Sequence, residues 1–368
     1  IRSDAGATWE VLGYDNVVRR DQLNVFNGTA GIALFLTEYG ALDLAQDALR
    51  WCATCPGDWG DSLCFGRGGV ALAGLALHAK RPDAGLLSAA RKIGDRTAAF
   101  DPDQPGDRTV VSDFIGGLAG NGIVLLRLHE ATGEARYLDA ARRIGAWLAD
   151  RRKAVGAGLV WPMVPADPKS RIQWGFAHGA SGIAWYFVRL HTATGEARWK
   201  EIALEAAATM RQAAAPDRGG LNWRRQPDTP AEAFKCQWCH GAPGVGLFFA
   251  RAWEAFREPW LLEVAEGAGE ATFAYGDIRK NPSQCHGLSG NAELFLELHR
   301  LTGKPLWRDR AAEFARLAMG YRVSDGSGER WQADEPGFYS PDFMCGAAGV
   351  GHFFLRLAAK GALPLPLL

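Results

Sequence analysis

Seven copies of one pattern decide what this chain can fold into: two glycines three residues apart, followed by an apolar run. The glycines are Gly28 and Gly31, Gly66 and Gly69, Gly117 and Gly120, Gly179 and Gly182, Gly241 and Gly244, Gly287 and Gly290, and Gly346 and Gly349. Successive first glycines lie 38 to 62 residues apart. A spacing of that size marks a repeat architecture, in which each copy buries its apolar face only by stacking on its neighbours.

The runs behind the glycines, such as Ile183 to Val188, are apolar on every side, which in a water-soluble chain marks a buried helix. Seven residues after the second glycine a charge stands in six copies, as Glu38, Arg127, Arg189, Arg251, Glu297 and Arg356, with Ala76 the exception. Seven residues is about two turns, so these charges share one level about 10 Å along their helices, where a structural ring of charge is expected. Copies three, four and six then show a Thr-Gly turn at Gly133, Gly195 and Gly303, the residue type that ends helices in the left-handed conformation. An amphipathic outer helix follows. All-round apolarity needs neighbours on both sides, which favours closure over an open stack. The expected fold is an all-α, α/α toroid of seven helical hairpins, its inner helices starting at the glycine pairs. Parallel inner helices gather their N-termini at one end, where free N–H groups and helix dipoles favour anions such as thiolates.

Composition sets outer limits. The 368 residues carry 41 Lys and Arg against 41 Asp and Glu, a balance that argues against a nucleic-acid partner. No apolar run approaches the ~18 residues of a membrane span, and Ile1 to Asp4 do not read as a signal peptide. Seven cysteines, an odd number in a long chain, read as thiols in a reducing, cytoplasmic setting. Residues 1–368 read as one domain, either cut out of a longer chain or a stand-alone protein.

The chemistry sits just before the glycines. The preceding residue is, copy by copy, Asn27, Phe65, Gly116, His178, His240, His286 and Cys345. Two before the glycine stand Phe26, Cys64, Ile115, Ala177, Cys239, Cys285 and Met344. Metal-competent side chains thus gather in copies four to six. Cys239, Cys285 and His286 make a Cys₂His set that suits zinc and leaves a fourth position for water or a substrate thiol. Cys52/Cys55 and Cys236/Cys239 have C-x-x-C spacing, but 181 residues separate Cys55 from Cys236, too many for a zinc ribbon. Cys52 and Cys55 read as packing groups. The loops leading into the inner helices carry Trp161, Trp174, Trp223, Arg224, Arg225 and Trp331, expected as a peptide-binding rim.

The sequence around these residues resembles the LanC-like lanthionine cyclases. The resemblance rests on the runs Phe176 to Trp185, Trp238 to Gly246, Cys285 to Asn291 and Phe343 to Gly351, and spans Asn27 to Leu357. Trp-Cys-His-Gly at Trp238 to Gly241 is closer to the cyclase domains of LanM-type synthetases than to stand-alone LanC. The resemblance implies a seven-hairpin toroid with one zinc and a lyase-class lanthionine synthetase. Peptide cysteines then add to dehydroalanine or dehydrobutyrine of a dehydrated precursor peptide, and a dehydratase or kinase/lyase region works in cis or in trans. It implies Cys239, Cys285 and His286 as zinc ligands, His178 as the catalytic histidine, and Asp113 at the acidic position. Where the family often carries Arg, this chain has Lys235, a point charge and not a fork. His240 stays open between support for the metal, substrate contact and acid. In such a reaction zinc generates the thiolate. His178 protonates Cα, and Asp113 orients His178, holds it protonated, or receives the thiol proton. Two other readings compete: a non-cyclising LanC-like zinc protein that binds peptide or glutathione, and a glycosidase. The second needs paired carboxylates, and the helix starts offer Asp113 alone.

Overall fold

The computed structural model describes all residues except 14–16, 228–233, 276–280, 325, 327, 334–336 and 368. Thirteen helices form among them: α1 (Thr29–Tyr39), α2 (Leu42–Thr54), α3 (Arg67–Lys80), α4 (Ala84–Ala99), α5 (Leu118–Thr132), α6 (Ala135–Ala149), α7 (Ala180–Thr194), α8 (Ala197–Ala213), α9 (Ala242–Phe256), α10 (Pro259–Tyr275), α11 (Leu288–Thr302), α12 (Pro305–Met319) and α13 (Ala347–Ala358). Every odd-numbered helix begins directly after the first glycine of a copy. Six copies add a second helix, while residues 359–367 after α13 carry none. Short antiparallel hairpins fill some connections: β1 (Arg2–Ser3) with β2 (Gly6–Ala7), β3 (Val11–Leu12) with β4 (Val18–Arg19), β5 (Lys153–Val155) with β6 (Gly158–Val160), β7 (Ala215–Asp217) with β8 (Gly220–Asn222), and β9 (Arg322–Ser324) with β10 (Glu329–Trp331). The last three follow the outer helices α6, α8 and α12. Among the described residues no helix is long and apolar enough to cross a membrane.

The chain divides into two compact units, Ile1–Ile93 with Gly276–Leu368, and Gly94–Tyr275. In the second, α5, α7 and α9 lie side by side, each covered by its own partner α6, α8 or α10. In the first, α3, α1, α13 and α11 are neighbours in that order, with α2 and α12 packed over them.

The same local geometry recurs at the helix starts of both units. Ahead of α1, α3, α5, α7, α11 and α13 the loop folds back so that its carbonyls accept the first-turn N–H groups, seven residues on. Thr29 N–H bonds Gln22 O at 2.8 Å, Leu118 bonds Val111 at 2.9 Å, Ala180 bonds Gln173 at 2.8 Å, Leu288 bonds Asn281 at 3.2 Å and Ala347 bonds Ser340 at 2.8 Å. The expectation of free N–H groups waiting for anions is therefore not met at these helices: their own loops satisfy them. The glycines make the fold-back possible. A Cβ on Gly182 would lie 2.0 Å from the Phe176 carbonyl oxygen, and one on Gly290 1.7 Å from that of Gln284.

Adjacent loops are also stitched to one another at the position two before the glycine. In one unit Ile115 N–H bonds Ala177 O (3.3 Å) and Ala177 N–H bonds Cys239 O (3.4 Å). In the other, Cys285 N–H bonds Met344 O (2.8 Å), Met344 bonds Phe26 (2.9 Å) and Phe26 bonds Cys64 (3.0 Å). Within each unit the helix starts thus stand in one row. The charges two turns along all have ion-pair partners: Glu38 with Lys80, Arg127 and Arg189 with Glu130, Arg251 with Glu254, and Arg356 with both Glu293 and Glu297.

The tryptophans correct one expectation. Trp161, Trp174 and Trp223 are buried, not a rim. Trp161 stacks on Phe187 and donates Nε1–H to Leu148 O at 2.9 Å. Trp223 stacks on Phe249 and donates to Met210 O at 2.7 Å. Each follows a hairpin and satisfies a late carbonyl of the outer helix before it, at α6 and at α8. Trp331 is half-buried, its ring beside Phe354.

Candidate functional site

In the unit formed by Gly94–Tyr275, the loops before α5, α7 and α9 bring together Asp113, His178 and His240. The Asp113 side chain is buried and His178 about a third exposed, with His178 Nδ1 and Asp113 Oδ2 2.6 Å apart. The other carboxylate oxygen of Asp113 accepts the Gly116 N–H at 2.8 Å, so one oxygen holds its own turn and the other holds the histidine. Burial works against a charged His178, but the hydrogen bond and the charge of Asp113, with a contribution from Cys239, outweigh it. The pKa of His178 therefore stands above the ordinary histidine range. The His240 ring lies 6.1 Å from that of His178, centroid to centroid. Burial dominates there, and His178, Lys235 and Arg225 add to it, so the pKa of His240 is lowered.

Cys239 and His240 sit in a tight turn unlike the other six. Gln237 and His240 exchange backbone hydrogen bonds (2.9 and 3.1 Å), and Cys236 bridges to Gly241. Gly241 has φ +102°, and a Cβ there would meet the Lys235 carbonyl oxygen at 1.9 Å, so this turn requires glycine. The start of α9 is held by a side chain: Asn222 Oδ1 accepts the Ala242 and Trp223 N–H groups, both at 2.8 Å. Sequence reasoning missed Asn222, because a lone asparagine at a strand end carries no signal of a helix 20 residues on. Cys239 is buried, its thiol 3.7 Å from Gln237 Oε1. Lys235 is exposed.

The other unit carries Cys285 and His286 at the same two positions before α11. Cys285 is buried and His286 half-buried. The His286 N–H donates to Ser283 Oγ at 3.2 Å, and Ser283 is held in turn by Asn281 (2.9 Å). Cys64 and Cys345 occupy the matching turns before α3 and α13 and are buried. Cys52 and Cys55 are buried as well, their thiols directed at the carbonyls of Leu23 (3.6 Å) and Asp21 (3.4 Å). Burial pushes both thiols up in pKa, which suits the packing role expected of them and not a reactive one.

Comparison with known proteins places this geometry. Nisin cyclase superposes with a TM-score of 0.69 at 19% identity, over 92% of this chain and 89% of its own. The fold is the all-α, α/α toroid expected from the glycine repeat. The family described as "Lanthionine synthetase C-like protein" matches residues 20–368, and the chain belongs to that family. Among curated relatives, "Glutathione S-transferase LANCL1" of Danio rerio is 32% identical over 148 residues, 40% of this chain. "LanC-like protein GCL1" of Arabidopsis thaliana is 28% identical over 263 residues, 69% of this chain. The matched stretches span 35% and 58% of those relatives' own lengths.

Proposed function

We propose that residues 1–368 act as one cytoplasmic lanthionine-forming cyclase domain that holds one zinc on Cys239, Cys285 and His286. The observation that carries the reading is the buried Asp113 paired with His178 at 2.6 Å, one loop from Cys239. The donor set fits zinc: two buried thiols and an imidazole, leaving an open position. Cys239 stands before α9 in one unit, and Cys285 and His286 hold the matching places before α11 in the other.

Ring closure forms one C–S bond. The thiol sulfur adds to the β-carbon of a dehydro residue, the thiol proton leaves, and the α-carbon gains a proton. Zinc, when bound, lowers the pKa of a substrate thiol so that it reacts as thiolate. His178, held by Asp113 and biased toward its charged form, donates the α proton. The proton given up by the thiol restores it. Asp113 keeps Nδ1 of His178 occupied, so Nε2 is the nitrogen that serves the substrate. The dehydro residues come from a dehydratase in cis or in trans acting first.

Metal content tests the reading. The purified chain is expected to hold about one zinc, lost in Cys285→Ala, and to close thioether rings in a dehydrated peptide. A chain that neither contains zinc nor takes it up on titration removes this function. The name of the zebrafish relative favours a second reading, the same thiol chemistry with free glutathione. Thioether formation with glutathione and none within a Cys-containing dehydrated peptide would select it.

A further inference from the structure

The substrate's negative charge has to be met somewhere. In a thiol addition the π electrons of the dehydro residue move onto its amide oxygen, and a donor there lowers the barrier. Lys235 is exposed and presents a point charge. A different cation comes from the neighbouring hairpin and is tied to the loop before α7. Arg225 lies three residues beyond β8, and its strand end is pinned to the start of α9 through Asn222. Its carbonyl accepts the Trp174 N–H at 3.2 Å, and the Trp174 carbonyl in turn accepts the Ser181 hydroxyl at 2.8 Å in the first turn of α7. Arg225 is thereby fastened to the starts of both helices that carry His178 and His240. On the far side of Trp174, Gly175 is backed against the second histidine. A Cβ on Gly175 would lie 2.9 Å from His240 Nδ1, so the Trp174–Gly175 stretch to which Arg225 is bonded also backs the His240 ring.

Two buried polar atoms meet no partner there among the described residues: Nε of Arg225 and Nδ1 of His240. Buried donors and acceptors are seldom left unpaired, and at a reaction centre such atoms are the ones a substrate satisfies. The charge of Arg225 also acts on the His178 ring.

We propose that Arg225 is a catalytic residue that donates to the amide oxygen of the dehydro residue as charge develops on it. The proposal rests on the cyclase reading above. Its test uses the zinc-loaded full chain and a synthetic peptide carrying one dehydroalanine and one cysteine, with Arg225→Gln and Arg225→Lys as variants. A second peptide, with alanine for dehydroalanine, reports equilibrium binding. Arg225→Gln is expected to lose about 10²–10³-fold in kcat, the cost of one such donor, with KM and alanine-peptide affinity within about threefold of wild type. Arg225→Lys keeps the charge without the fork and is expected to recover part of kcat. It also carries the test should the glutamine variant fail to fold. An unchanged kcat in both variants overturns the assignment while leaving the cyclase reading intact. So does a loss that falls wholly in KM, or one matched by loss of zinc. A wild-type chain that forms no thioether above the uncatalysed rate removes the cyclase reading, and Arg225's role with it.

Discussion

At the scale of single residues, the eight histidines sort by what they touch. His78, His129, His191 and His299 each bring Nδ1 within 3.1 Å of a carbonyl five residues on, at a helix end. His352 is fully buried in the core. His178, His240 and His286 alone stand directly before an inner helix. Contrary to the expectation from the sequence, Asp113 does not stand alone at the helix starts: Asp342 occupies the matching place, and each holds its own turn through one oxygen (2.8 Å to Gly116 N–H, 2.7 Å to Cys345 N–H). Their second oxygens differ, reaching His178 in one case and Ser340 in the other. Asp113→Asn is therefore expected to slow ring closure by roughly 10²-fold, and Asp342→Asn to leave the rate per folded molecule unchanged, as single-turnover assays on soluble variants would show. The pair also predicts a pH dependence of stability. The folded pKa of His178 lies above its unfolded value, so its stabilisation is fully present below about pH 6.5. It is lost as pH rises through the folded pKa. The stability difference between wild type and His178→Gln should shrink from pH 6 to pH 9 in urea titrations. A constant difference would contradict the assigned shift.

At the scale of elements, glycine plays two separable roles. Gly133, Gly195 and Gly303 end their helices at φ +70° with open space where a Cβ would go. Gly303→Ala should cost only the backbone term, about 1 kcal/mol. Gly244 faces the Trp238 carbonyl oxygen at 1.9 Å and the Phe176 Cβ at 2.9 Å. Gly244→Ala must push away the turn that carries Cys239. It should cost about 1–3 kcal/mol or more and lower the zinc bound per chain, whereas Gly303→Ala should leave zinc content intact. Calorimetry beside elemental analysis separates the two. The hairpins after α6 and α8 act in the same local way, since each delivers a tryptophan whose indole N–H closes the outer helix before it.

At the scale of the whole molecule, stability should be sensitive to a buried charge cluster within the apolar core. Arg356 is fully buried between Glu293 and Glu297, and Gln284 Nε2 donates to Glu293 at 3.1 Å. Removing one partner of such a cluster leaves uncompensated charge, so Arg356→Met should cost about 3–5 kcal/mol. One turn away, His352 has both ring nitrogens buried without a partner among the described residues. Burial first, then Arg356 and Lys80, push its pKa down to about 3. The unfolded chain takes up a proton on this histidine near pH 6.5 and the folded chain does not. Stability should be full above pH 6.5 and fall as pH drops toward 3. His352→Phe should flatten the acid limb of the Tm profile, and an unaltered limb would count against this origin.

What the sequence by itself determined is what lies within one copy. The glycine pair, the apolar helix behind it and the Thr-Gly helix end are all local, so their spacing is written in the chain, whereas the loop that folds back onto the helix starts came only with the structure. Cys239, Cys285, His178, His240 and His286 could be found because they recur at fixed places relative to those glycines. What only the tertiary structure decided depends on partners a repeat or more away. Asp113 meets His178 across 65 residues, Asn222 anchors a helix 20 residues on, and the Arg225 carbonyl takes the Trp174 N–H from a different hairpin. The same holds for the aromatic loops, whose tryptophans looked fit for a rim and instead found apolar rings and helix carbonyls to pack against. A side chain's type shows what it can bond. Which neighbour stands within reach is set by how the repeats stack, and that carries no periodic trace in the sequence.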